Sequence, residues 1–118
     1  MFKVLIADDN FEDRELLKLE IERALKDEEP DVRKAVVTAL GNAPGAKALR
    51  SLLLAVTDDD PEVRMLAAEA LGGRDAPEAG DALVALLADT DLWVRAAAAK
   101  GLGRIGGKKA DEDRKSVV

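Results

Sequence analysis

Cysteine and histidine are both missing from this 118-residue chain. Without cysteine there can be no disulfide. Without either residue, the usual zinc, haem and imidazole chemistry has neither ligands nor bases. Nucleophile–base pairs built on Cys or His are excluded for the same reason, so an enzyme is not expected. Nor is there an excess of positive charge. The net charge is −6, whereas a nucleic-acid footprint needs clustered Lys and Arg. No apolar run approaches the ~20 residues of a membrane span, so no membrane association is expected. The opening MFKVLIADDN has one early lysine and a short apolar stretch, and does not read as a signal peptide. The lack of cysteine is compatible with a cytoplasmic setting. What remains is 47% hydrophobic and 36% charged, the balance of a soluble globular chain. A chain of this length buries roughly 65% of its unfolded surface, enough for one domain or one short array.

The sequence repeats itself. Val32, Val63 and Val94 recur at a constant step of 31 residues, followed by Arg33, Arg64 and Arg95. Leu40, Leu71 and Leu102, then Gly41, Gly72 and Gly103, keep the same step, as do Asp27, Asp58 and Asp89. A fixed period of this size indicates stacked structural repeats. Within each unit the apolar spacing is helical. The second copy offers Val63, Leu66, Ala67, Ala70 and Leu71. The first offers Val32, Ala35, Val36, Ala39 and Leu40, and the third Val94, Ala97, Ala98, Gly101 and Leu102. Further helical runs lie at Ala46–Thr57 and Pro77–Ala88, the latter with Leu83, Val84, Leu86 and Leu87 as its stripe. Phe11–Lys26 is the matching run upstream, where Asn10 and Asp13 have capping-box spacing. Each unit is therefore a pair of short helices joined by Gly-, Pro- and Asp-rich turns. A lone hairpin of this size cannot bury its apolar face, whereas stacked neighbours can. The predicted fold is an all-α solenoid of three hairpins, about 11–42, 43–73 and 74–106. A lead segment over 1–10 precedes them, and a flexible tail over 107–118 follows.

The stretch Asp58–Gly72, D-x-x-P-x-V-R-x-x-A-x-x-A-L-G, resembles the HEAT repeat, specifically the short bacterial kind of phycobilin-lyase-like proteins. The first copy keeps Asp27, Pro30, Val32, Arg33, Leu40 and Gly41. The third has Leu92 in place of the proline and Gly101 in place of an alanine. The resemblance implies that Asp27/Arg33, Asp58/Arg64 and Asp89/Arg95 form a ladder between units. Solvated surface pairs worth ~0–1 kcal/mol each are the alternative.

The first 26 residues also resemble the opening of a response-regulator receiver domain, in which an acidic pair, here Asp8 and Asp9, binds magnesium. Two neighbouring carboxylates suit a hard cation, and they equally suit the N-terminus of a helix. The likeness ends there. Asp58, in the region of a phosphoacceptor, already belongs to the repeat, and the downstream Thr/Ser and Lys-Pro signatures are missing. The segment reads as receiver-like text joined to the array, such as a gene fusion would produce. Phe2–Ala7 is a short strand, a helical extension or a disordered lead.

If the apolar stripe faces inward, the neighbouring stripe of each unit's second helix is exposed. It comprises Asp31, Lys34, Thr38 and Asn42, then Glu62, Met65, Glu69 and Gly73, then Trp93, Ala96, Lys100 and Arg104. The resemblance places these positions on the concave, partner-binding side, and they differ in every unit. Trp93, the one Trp, is either a binding anchor or a cover for the end of the array. The expected function is a non-catalytic scaffold that binds a protein partner there and needs no cofactor. Self-association through the exposed ends is a further expectation. A degenerate receiver-like signalling module and a chromophore-lyase accessory protein are the other readings.

Overall fold

Turn residues divide the chain into short helices. The computed structural model describes the backbone of residues 19–116 and the side chains of residues 19–107. All its described secondary structure is helical: α1 over residues 19–24, α2 Pro30–Gly41, α3 Ala46–Ala55, α4 Pro61–Leu71, α5 Pro77–Leu86 and α6 Leu92–Ser116. An all-α solenoid is thus the fold.

The helix starts follow from local chemistry. Pro30, Pro61 and Pro77 each open a helix, where a missing amide hydrogen costs nothing. Asp60 caps α4, its Oδ1 accepting from the amides of Glu62 (2.8 Å) and Val63 (3.3 Å). Asp91 does the same for Trp93 and Val94. Glu29 stands in the equivalent place before α2 and makes no side-chain cap. Gly45 precedes α3 at φ 102°, a region costly for any residue with a Cβ.

Packing forms two layers. α4 lies between α2 and α6, and α3 and α5 back them on the outside. The core is a file of small and medium side chains. Val37, Leu52, Val63, Ala67, Ala68, Leu71, Leu83, Val94 and Ala98 are fully buried. The alanines let the helices approach closely, most of all where Gly72 faces Gly101. A Cβ built on Gly72 would come within 2.7 Å of the Gly101 Cα.

Three expectations differ from this arrangement. The inward side of α2 carries Arg33, Val37 and Leu40, while Val32, Ala35 and Ala39 are exposed. Val63 and Val94, in the column of Val32, are fully buried because a preceding helix of the inner layer covers them. α2 has no such neighbour among the described residues. In α5, Leu83 and Leu86 are buried while Val84 and Leu87 face out. The third difference lies at the end of the array. α6 runs through Gly106-Gly107 to Ser116 as one helix. Two glycines cost about 1 kcal/mol each, and no proline follows them to stop the helix.

Candidate functional site

Two constellations stand out, one between units and one across them. The first is the Asp/Arg ladder. Arg33 donates Nη1 to the backbone carbonyl of Asp27, six residues back, and directs Nε (2.9 Å) and Nη2 (3.0 Å) onto the Asp58 carboxylate in the next unit. Arg64 repeats the arrangement, with Nη1 on the Asp58 carbonyl (2.8 Å) and Nε and Nη2 on Asp89. Arg95 donates Nη1 to the Asp89 carbonyl at 2.8 Å. All three arginines therefore take a carbonyl from their own unit, and Arg33 and Arg64 also take a carboxylate from the next. The two-pronged geometry is the strong form of a charge-assisted pair.

The acceptor is held in advance. Asp27, Asp58 and Asp89 each accept, through Oδ1, the amide two residues ahead, at 2.8, 2.9 and 2.9 Å. Burial pushes the Asp58 carboxyl up, but hydrogen bonds from Arg33 and the Asp60 amide outweigh it and leave the group below the ordinary carboxylate range. Hydrogen bonding from Arg64 holds Asp89 down against a smaller opposing effect of burial. Arg33 and Arg64 are raised in turn by their bonds to Asp58 and Asp89. The Arg64 and Asp89 side chains keep only 15% and 10% of their surface exposed, so water screens this pair poorly.

The second constellation is the side shared by α2, α4 and α6. The stripe residues sit there in four rows across the helices: Asp31/Glu62/Trp93, Lys34/Met65/Ala96, Thr38/Glu69/Lys100 and Asn42/Gly73/Arg104. Most are exposed, and Trp93 is 68% so. No described residue buries it. Lys34 is half-buried, paired with Asp31 (3.2 Å) and with Glu62 of the next unit (2.5 Å). Thr38, Asn42, Glu69, Gly73 and Arg104 of the last two rows border a groove of about 270 Å³. Val37, Leu66 and Ala70 give it an apolar floor, and Thr38, Asn42, Glu69 and Arg104 a polar rim.

Sequence reasoning missed two arginine contacts. Arg74 bonds the carbonyls of Leu40 (2.7 Å) and Ala43, closing the C-terminal end of α2 from the turn after α4. Arg104, expected only as part of the stripe, reaches the Glu69 carbonyl at 3.3 Å. For Arg74 the available signal was an arginine just past the end of a helix, where free carbonyls attract cations. A larger groove of about 710 Å³ opens between α1 and α3, with Ile21, Leu25, Leu40 and Leu54 among its walls.

Among the described residues, no three His, Cys, Asp or Glu side chains cluster as metal ligands, and no buried side-chain polar atom lacks a partner. Asp8 and Asp9 lie outside the described residues, as does the rest of the receiver-like opening. No described helix is long and apolar enough to cross a membrane. A family model for HEAT repeats matches residues 49–113, and a second, for the HEAT repeat, matches residues 16–42. No curated protein matches the chain.

Proposed function

The chain belongs to the HEAT-repeat proteins, and from that premise we propose that it is a non-catalytic scaffold whose protein partner lies across α2, α4 and α6. The supporting observation is the groove bordered by Thr38, Asn42, Glu69 and Arg104, at one end of a stripe that changes from unit to unit. Core positions are committed to packing and the ladder positions to joining units. Most of the stripe is exposed and committed to neither, although Met65 also packs against the core and Lys34 and Arg104 also reach across units.

Its chemistry selects a kind of partner. Trp93 and Met65 suit apolar bulk, and Glu69 suits a basic group. Glu62 is already engaged by Lys34, so it offers less than its exposure suggests. Lys100 adds a cation at the far side, and Arg104 adds one at the groove rim. Asp31, Thr38 and Ala96 complete the contact surface. A cytoplasmic setting and the absence of nucleic-acid binding belong to this reading, supported by the cysteine-free composition and net charge of −6.

Removing a central aromatic anchor commonly costs ~2 kcal/mol or more, about thirtyfold in affinity. Trp93→Ala and Glu69→Lys should therefore each weaken binding of a captured partner, measured by calorimetry. Because both side chains are exposed, melting temperature and helicity should hardly change. Normal binding by both folded variants would defeat the assignment.

A further inference from the structure

We propose that a second copy of this chain docks head to tail on the array, bringing its Asp27 end to the Arg95 end of the first. This surface is separate from the shared side of α2, α4 and α6, and the inference does not depend on what binds there.

Each joint inside the chain has a donor half and an acceptor half. The donor half is an arginine fixed by its own unit's carbonyl, with Nε and Nη2 aimed outward. Beside it lies a glycine that admits a small residue from the next unit, Gly41 against Ala70 and Gly72 against Gly101. The acceptor half is an aspartate whose Oδ1 is already held by a backbone amide.

A complete donor half stands at the Arg95 end. Arg95 Nη1 is held at 2.8 Å by the Asp89 carbonyl, as Arg64 Nη1 is by Asp58. Among the described residues, no carboxylate meets its Nε or Nη2. A Cβ on Gly103 would meet nothing within 4 Å. Ala99 is exposed, although Val37 and Ala68 in its column are fully buried. α2 and α4 hand over to an outer helix at Gly41 and Leu71, whereas α6 continues to Ser116.

The acceptor half stands at the other end. Asp27 Oδ1 accepts the Glu29 amide at 2.8 Å and receives no guanidinium among the described residues. The 25-residue step that links Arg33 to Asp58 reaches back from Asp27 to Phe2, which carries no charge. Ala39, in the column of Ala70 and Gly101, is exposed, and Val32 is 38% exposed against 0% for Val63 and Val94. Repeating the step between units would seat Asp27 of the second copy on Arg95 and its Ala39 on Gly103. Charge and close approach then match in the same register. The two halves differ, so every dimer presents one of each, and growth continues unless the rotation closes a ring.

Sedimentation velocity on the full chain tests this over about a hundredfold concentration range spanning the weak affinities of small interfaces. The unaltered chain should sediment faster as concentration rises. Arg95→Glu should weaken association at least about tenfold, and Asp27→Asn, which preserves the turn, should also weaken it. Mixed together, these two variants retain one intact joint between them and should form a dimer that stops growing. Gly103→Glu places a bulky charge where the monomer has open space, so it should block association without lowering the melting temperature. If Arg95→Glu loses helicity, Gly103→Glu decides alone. A chain that stays monomeric throughout, or one whose association survives Gly103→Glu, overturns the proposal.

Discussion

The joint between the first and second units and the joint between the second and third share one ladder but differ in what surrounds it. At the first, Arg33 also reaches Asp59 at 3.1 Å, Lys34 bridges to Glu62, and Arg74 closes the end of α2. Gly41 there is tight but less so, a built Cβ lying 3.1 Å from the Ala70 Cβ. At the second, Arg64 meets Asp89 alone among the described carboxylates, Arg104 reaches the Glu69 carbonyl, and Gly72 faces backbone at 2.7 Å. The first joint is held by added polar contacts, the second by closer approach of α4 and α6. One repeat pattern therefore supports two balances of charge and packing.

The largest effect should come from a methyl group. Gly72→Ala must push α4 and α6 apart, since the obstructing atom is backbone, and should destabilise by about 1–3 kcal/mol despite the better helix propensity of alanine. Gly41→Ala sets its methyl 3.1 Å from the Ala70 Cβ, a milder conflict that a shift of a few tenths of an ångström relieves, and should cost less. Denaturant midpoints for the two variants measure the asymmetry, and equal losses would erase it.

Arg64→Ala comes next. It strips Asp89, a carboxylate with 10% of its side chain exposed, of its guanidinium, at a cost of about 1–3 kcal/mol. The substitution also changes the response to acid. Asp89 titrates below its ordinary value of 3.8 when folded, so the stability from the pair is present above that value. It is lost as pH falls through the folded-state value. In Arg64→Ala this acid-sensitive part should shrink, seen as a flatter fall in melting temperature below about pH 4.

Arg74→Ala should cost about 1 kcal/mol, because it frees two carbonyls at the end of α2, and thermal melts should show it. The smallest effect belongs to Lys34→Ala. Its partners Asp31 and Glu62 are 90% and 63% exposed and remain hydrated without it. The denaturation midpoint should barely move.

Much of this architecture was legible in the sequence because the 31-residue step repeats both the apolar columns and the turn residues. The ladder columns were legible as well, but their pairing was not. Spacing alone joins Asp58 to Arg64, six residues apart, whereas Arg64 takes only the Asp58 carbonyl and gives its charge to Asp89. Which carboxylate an arginine reaches depends on the step between helices, which no local spacing encodes. The buried side of α2 was misread for a related reason. Val32 repeats Val63 in text but lacks a neighbour to cover it among the described residues. The shared face could be drawn from helical periodicity. Its groove could not, because the groove depends on how far apart α2, α4 and α6 stand. The contacts of Arg74 and Arg104 lie outside every repeated column, so periodicity passed over them.

The carbonyl that holds each ladder arginine belongs to the same unit as the arginine, so the connector is shaped before any neighbour arrives. Duplicating one 31-residue block would therefore copy a finished fitting, with its plug and socket already matched to the blocks on either side. Length becomes an inheritable variable that can change without redesign of the joints. Each added block should contribute a similar increment, as in a one-dimensional chain of coupled units. Variation is then free to accumulate in the residues between the fittings.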